Sequence, residues 1–319
     1  MIKFKNVEIT KVDFQLSNRL NDIQIRKVLF NDIEVFSTGY SMGLFYCGSH
    51  TTTQSSRSNL TTRVDSNGIQ IGNETSVGTA RYSLAGASVD QLGLFYGGLT
   101  SLNHNLTTRI DSSGIQIGNE TSVGTARYHL AGASVDSIGL FYGGWTGSNS
   151  NLTTRIDSSG TQIGNETSVG SARYDLAGAS VDQLGLFYGG ITKSYIKLTI
   201  RIDSSGIQIG NETSVGTARY SLAGASVDQL GLFYGGRTSL NHNLTTRIDS
   251  SGTQIGNETS VGSARQKLAG ASIDDIGLFR GGYITSPRNL TTRIGSSGTM
   301  IGNETSVGSV RYQLAGASL

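Results

Sequence analysis

Residues 93–98 read Gly93-Leu94-Phe95-Tyr96-Gly97-Gly98, and the same string or a near variant begins at Gly43, Gly139, Gly185, Gly231 and Gly277. From Gly93 onward the interval is always 46 residues; only the first differs. Each copy is followed by a loop, then LTTRIDSSG or a close relative, then a segment like TQIGNETSVG, then an Ala-Arg pair and LAGAS. A period in the forties with four strand-like pieces per unit is the pattern of propeller blades, and six units make one ring. The chain is therefore expected to be all-β, a six-bladed β-propeller over residues 37–319, with a short β-rich leader over 1–36.

Local chemistry orders the strands within a unit. Leu84-Ala85-Gly86-Ala87-Ser88 has almost no side-chain bulk, which suits the innermost position where six strands crowd an axis. This is strand A. Leu44, Phe45 and Tyr46 form an aromatic-rich strand B, ended in later copies by Gly-Gly. Apolar and polar residues alternate in Leu60-Thr61-Thr62-Arg63-Val64-Asp65, and Ser66-Asn67-Gly68 supplies a turn before Ile69 and Ile71; these are strands C and D. Ring closure is legible as well. The last unit ends in a strand A, Arg311 to Leu319, with no strand B after it, and residues 36–42 before Gly43 do not match LAGASVDQL. The C-terminal strand should complete the first blade and remove the exposed edges of an open ring.

Composition agrees and excludes several function classes. The 319 residues include 44 Gly, a single Pro at Pro287, and only 15% charged residues. A formal charge of +2, with Lys and Arg dealt evenly along the chain, offers no basic stripe for nucleic acid. The lone cysteine, Cys47, rules out an internal disulfide framework and a thiolate zinc site. The N-terminal stretch lacks the apolar core of a signal peptide, and no run approaches transmembrane length, so a soluble chain without membrane insertion is expected. Asn-Glu-Thr and Asn-Leu-Thr sequons, as at Asn73, Asn105 and Asn119, then read as turn chemistry.

Unit by unit the pattern resembles the kelch repeat: a small-residue strand, an apolar strand ending in Gly-Gly, a third strand ending in Asp, and an Arg before the next unit. Gly97-Gly98, Asp111 and Arg127 match that order. Six residues beyond the Asp, where the family has Trp, this chain has Ile71, Ile117, Ile163, Ile209, Ile255 and Ile301. Packing between blades is then expected to be aliphatic. Thr75-Ser76-Val77-Gly78-Thr79-Ala80-Arg81, followed by LAGAS and GLFYGG, is in addition similar to kelch-like propellers of tailed bacteriophage virions. That resemblance implies a virion location and other virion proteins as partners of the leader; otherwise the lack of a signal peptide implies a cytoplasmic location.

Within the leader, residues 28–36 read as a hairpin turning at Asn31-Asp32, and Phe4, Val7, Ile9, Val12 and Phe14 add β-prone residues. So apolar a segment either packs on the propeller or docks it onto a larger assembly.

Catalytic chemistry has little foundation in the sequence. His50, His104, His129 and His242 do not repeat as a metal set would, and Cys47 merely replaces the first Gly of a Gly-Gly pair, so neither a metal nor another cofactor is expected. There is no nucleophile elbow, paired-acid motif or Walker loop. Arg63 should face Glu74 across strands C and D, as should Arg109 with Glu120 and Arg155 with Glu166. The second arginine set, Arg81, Arg127, Arg173, Arg219, Arg265 and Arg311, either braces loops or forms a ring of donors at one mouth of the channel.

Difference among copies points to recognition. The B–C loops carry Leu99 to His104, Trp145 to Ser150, Ile191 to Ile196 and Tyr283 to Arg288, whereas most of each unit barely changes. In a four-stranded antiparallel blade the B–C and D–A loops share one face. Trp145, Tyr195 and Tyr283, with His104 and His242 as lesser contributors, are the expected contact residues for a host surface glycan or protein. A glycan-processing enzyme and an intracellular kelch-type interaction scaffold are the alternatives.

Overall fold

In the computed structural model, which describes residues 11–16, 23–30, 33–37, 41–51 and 56–319, every regular element is a β-strand. The chain divides into two compact units, Met1–Ser41 and Met42–Leu319. In the first, β1 (Lys11–Leu16), β2 (Ile23–Phe30) and β3 (Ile33–Ser37) form an antiparallel sheet in that order. Val28 faces Phe36 and Phe30 faces Ile33, so the expected hairpin is present. β3 continues through Ser37, and the division between the two units falls after Ser41. Phe4, Val7, Ile9 and the Asn31-Asp32 turn lie outside the described residues.

The second unit is a six-bladed β-propeller of four-stranded antiparallel sheets. The second blade is typical, with strand A at Ala85–Val89, B at Leu92–Tyr96, C at Leu106–Ile110 and D at Thr121–Ser122. Strand A alternates buried and half-buried residues, whereas strand B, sandwiched between neighbouring blades, is buried from Gly93 to Tyr96. Strand D is far shorter than the alternation around Ile69 and Ile71 implies. After one isolated bridge between Val64 and Gln70, Gly72 turns at φ +63 and the Gln70 amide donates to the Gly72 carbonyl, so only Thr75–Ser76 pairs with strand C. In five blades the outer strand is two residues long and leaves little edge for another chain to extend; in the sixth it runs Thr305–Arg311.

At the axis, strand A has no room for a side chain at its central glycine. A Cβ on Gly86, Gly132, Gly178, Gly224, Gly270 or Gly316 would overlap the carbonyl oxygen of the equivalent glycine in the neighbouring blade. Closed hydrogen-bond rings flank this waist. Toward one end, the amides of Ser88, Ser134, Ser180, Ser226, Ser272 and Ser318 each donate to the next serine hydroxyl, at 2.7–2.8 Å, until Ser318 returns to Ser88. Toward the other, Ser83, His129, Asp175, Ser221, Lys267 and Gln313 are linked amide to carbonyl in an unbroken circle at 2.7–2.9 Å.

Blades pack through strands A and B. Ala85, Ala87, Val89, Leu94 and Tyr96 of the second blade meet Leu130, Phe141 and Ile156 around the third, and the pattern recurs. Its repeated contact is aromatic: Tyr46–Phe95, Tyr96–Phe141, Tyr142–Phe187, Tyr188–Phe233 and Tyr234–Phe279 are tilted pairs with centroids 5.1–5.2 Å apart. The expected aliphatic packing by the Ile71 series is therefore corrected. Ile117, Ile209, Ile255 and Ile301 are more than a third exposed, because the clipped strand D carries them to the outer rim.

The seam between the sixth and first blades departs from this scheme. Ala315–Ser318 pairs with Gly43–Tyr46, so the C-terminal strand completes the first blade as the sequence implies. Arg280 stands where the other copies have Tyr, and its guanidinium lies over the Phe45 ring at 6.0 Å. It donates to the Val307 carbonyl at 2.5 Å, the role the Tyr234 hydroxyl fills toward Val261. It also shares Glu74 with Arg311. Burial, and then the Arg311 charge, push the Arg280 guanidinium down to about 9.

Two outcomes follow. Removing residues 312–319 deletes the closing strand and one-sixth of both axial rings, so the truncated protein should unfold or aggregate. A soluble form with an unchanged melting temperature would refute closure as a condition of stability. Arg280→Tyr restores the repeat residue and removes a second buried cation competing for one carboxylate. It should stabilise the propeller by about 1–2 kcal/mol, read as a rise in melting temperature; a fall would show that the Arg280–Glu74 contact outweighs its desolvation.

Candidate functional site

Each link from strand D to the next strand A runs Arg, Tyr, a variable residue, Leu, with Gln266 replacing the tyrosine once. The tyrosine pairs back onto the B–C loop. Tyr82 bridges Leu99, Tyr128 bridges Trp145, Tyr174 bridges Ile191, Gln266 bridges Tyr283 and Ser49 bridges Tyr312. The D–A links and B–C loops thus share one face.

The variable residue turns to the axis. Ser83, His129, Asp175, Ser221, Lys267 and Gln313 line a cavity of about 60 Å³ at the mouth of the channel, over a floor of Leu84, Leu130, Leu176, Leu222, Leu268 and Leu314. All six are left-handed, with φ between +52° and +57°, yet none is glycine. Retaining a side chain where the backbone favours its absence is the kind of strain that accompanies function. His129 Nδ1 lies 2.6 Å from Asp175 Oδ1. Burial pushes the Asp175 carboxyl up, but the His129 charge and hydrogen bond, aided by Lys267, hold it below the ordinary Asp value. Lys267 Nζ sits 5.8 Å over the Tyr312 ring and makes no ion pair among the described residues. The Ser83 hydroxyl, in a buried residue, has no hydrogen-bond partner among the described residues, whereas a hydrogen bond from Ser221 helps hold the Asp175 carboxyl down. Among the described residues no group of three His, Cys, Asp or Glu could hold a metal ion.

The expected contact residues lie in the B–C loops and not in the lining of this cavity. Trp145 packs edge-on against Tyr174 at 5.2 Å, Tyr195 stacks on Tyr220 at 4.9 Å, and Tyr283 meets Tyr312 at 5.6 Å. Tyr195 is 44% exposed; Trp145 and Tyr283 are half-buried. His104 and His242 brace their own loops through Thr100 and Thr238, at 2.7 and 2.8 Å, and burial pushes both imidazoles down. Leu102 and Leu240, at 72% and 73%, are the most exposed large apolar side chains among the described residues, and they project from the same loops.

The arginines require a correction. Arg81, Arg127, Arg173, Arg219, Arg265 and Arg311 are fully buried, so they are not donors at a channel mouth and offer no contact to a partner. Arg81 donates to the carbonyls of Gly97 at 2.6 Å and Leu106 at 2.9 Å and reaches Glu120 at 3.3 Å. Thr79 donates to the same carboxylate at 2.5 Å. Equivalent clasps join Arg127 to Glu166, Arg173 to Glu212, Arg219 to Glu258, Arg265 to Glu304 and, across the seam, Arg311 to Glu74 at 3.0 Å. The expected Arg63–Glu74 ladder is likewise replaced. Glu74 turns inward to Arg311 and Thr62, while Arg63 reaches the next blade and donates to the Ser112 carbonyl at 3.4 Å.

The axial residues were not singled out from the sequence, although a signal was present: between Arg-Tyr and Leu-Ala-Gly stands one position that varies inside an otherwise constant string. What the string does not reveal is that these six positions converge. In comparisons with known proteins, residues 64–74, 111–120 and 202–212 match the family model of the RIP homotypic interaction motif. These three pieces, each running from the end of strand C through the following turn at the outer rim, amount to about a tenth of the chain. No curated protein matches the chain.

The buried clasps predict a pH profile. Burial pushes Glu74, Glu120, Glu166, Glu258 and Glu304 up, but hydroxyl donors and the facing arginine outweigh it and leave all five below the ordinary value of 4.5. A carboxyl depressed on folding contributes stability that is complete above its unfolded pKa and is lost as pH falls through the folded one. The melting temperature should be flat from about pH 7 to about pH 5 and fall steeply below 4.5. A melting temperature independent of pH down to about 3 would show that the clasps do not depend on ionised glutamates.

Proposed function

We propose that the protein is a non-catalytic binding module whose B–C and D–A face contacts a surface glycan or protein. The observation that carries this reading is the distribution of sequence difference: in a ring of near-identical units, the longest varied stretch is the B–C loop, on the same face as the varied axial residues. A scaffold needing only shape has no reason to diversify there. Exposed Tyr195, Leu102 and Leu240 give that face apolar area, and short polar loop residues beside them supply hydrogen bonds. The resemblance of the Thr75–Arg81 string and its neighbours to propellers of tailed bacteriophages supports, in this reading, a role on a virion. The leader would then join it to other virion proteins.

A catalytic reading has one observation in its favour, the His129–Asp175 pair beside Ser83. It lacks an activated nucleophile, because the Ser83 hydroxyl bonds to no neighbour, and the backbone amides of the axial ring are spent on one another, leaving none to stabilise an oxyanion.

Replacing Trp145, Tyr195 and Tyr283 together by Ala should weaken binding to a host-cell surface or glycan array by roughly 2 kcal/mol or more while shifting the melting temperature by only a few degrees. Undiminished binding by the triple variant, in an assay where the parent binds measurably, would retire the loop face as the contact surface.

A further inference from the structure

Divergence among the blades has a sign. In the propeller, the lysines and arginines outside the repeated Arg63 and Arg81 series are Arg280, which is buried, and Arg57, Lys193, Lys197, Arg237, Lys267 and Arg288. All six of the latter lie in B–C loops or D–A links, although positive residues look evenly dealt along the chain. The same loops and links hold one carboxylate, Asp175, which is engaged by His129 at 2.6 Å. Lys267 shares the axial cavity with Asp175, so those two charges offset one another. The other five cations have no carboxylate of that face left to pair with, and none makes an ion pair among the described residues. They belong to the fourth, fifth, sixth and first blades, which are consecutive once the ring closes, and so form one positive arc. The opposite face has the reverse sign, since its A–B turns present Asp90, Asp136, Asp182, Asp228 and Asp274, all exposed. A ring polarised in this way draws a polyanion to one face and repels it from the other.

The densest part of the arc is also where an aromatic ring is open to solvent. Tyr195 is the one exposed aromatic side chain among the described residues, and Lys193 and Lys197, both exposed, flank it in the same stretch. It stacks on Tyr220 at 4.9 Å, and the strand partner of Tyr220 is Arg237. An aromatic face suits the apolar C–H face of a pyranose, and cations beside it suit acidic groups carried on the sugar. A nucleic acid fits less well. Stacking of successive bases takes a row of exposed rings and groove reading takes a projecting helix or ribbon, whereas the arc offers a single ring on short loops.

We propose that the positive arc of the B–C and D–A face binds an anionic polysaccharide, with Lys193, Lys197 and Arg237 holding its acidic groups and Tyr195 supporting a sugar ring. This rests on the reading of the variable face as a binding surface and names the chemistry that face selects. Titration of the full chain with dextran sulfate, uncharged dextran and a duplex DNA oligonucleotide tests it. Dextran sulfate should bind, and its affinity should fall at least about tenfold between about 0.05 and about 0.2 M salt. Dextran and DNA should bind at least about tenfold more weakly. Lys193→Gln/Lys197→Gln/Arg237→Gln should lose about tenfold in affinity with an unchanged melting temperature. Asp136→Asn/Asp182→Asn/Asp228→Asn, which raises the net charge by the same three units on the opposite face, should leave affinity within about twofold. Equal binding of dextran, or undiminished binding by the glutamine variant, would overturn the assignment. Tighter binding of DNA would transfer the arc to nucleic acid. Adhesion of the parent to cells that is insensitive to salt, yet lost in the Trp145, Tyr195 and Tyr283 triple variant, would overturn the role of charge and leave the loop face standing.

Discussion

Six innermost strands meet so closely that the chain cannot carry a Cβ at the waist of the ring, and the rest of the propeller is organised around that approach. With Gly86, Gly132, Gly178, Gly224, Gly270 and Gly316 against one another, polar backbone at the centre must be satisfied within the ring. The two circular hydrogen-bond chains do so, one through serine hydroxyls and one through backbone carbonyls. Neither circle exists until the last strand is in place, because Ser318 and Gln313 each supply a link. Closure is therefore a condition of the core as well as a cover for its edges.

Away from the axis, blades are joined by buried charge. Each clasp arginine lies in its own slot, with carbonyls taking its terminal nitrogens, joined in five of the six by a threonine hydroxyl that Ile200 replaces at Arg173, and with a glutamate reached by the preceding blade's Thr or Ser. Burying an ion pair costs desolvation free energy that only good geometry recovers, so such pairs say more about register than about stability. Here the pair specifies how each blade seats on the next. In four of the joints the guanidinium also lies 5.6–6.0 Å over the preceding blade's tyrosine, tying the clasp to the aromatic contact. The seam alone carries two cations on one carboxylate, which marks it as the least well-matched joint.

The symmetry also explains where a site can arise. Positions that touch the equivalent position of a neighbour are constrained six times over, and they repeat. The axial residue of the D–A link is an exception: its backbone is bound into the circle while its side chain lines the small axial cavity, where Ser, His, Asp, Lys and Gln all stand on a left-handed backbone. The ring supplies the frame, and six independent choices of side chain supply the chemistry.

The sequence by itself determined the number of blades, the order of strands within them, the innermost strand and the closing strand, because each rests on local pattern repeated at one period: small residues in LAGAS, alternation in LTTRI, and an unpaired strand A at residues 311–319. The shared face of the B–C and D–A loops followed from antiparallel geometry alone. Only the tertiary structure decided what depends on contacts between blades. It sent the second arginines inward, because their carbonyl acceptors come from strands far along the chain, and it gave Glu74 to Arg311 across 237 positions and not to nearby Arg63. It placed the Ile71 series on the rim once strand D proved too short to hold it inside. And it gathered Ser83, His129, Asp175, Ser221, Lys267 and Gln313, each 46 residues from the next, around one axis, a juxtaposition no local pattern encodes because ring closure alone creates it.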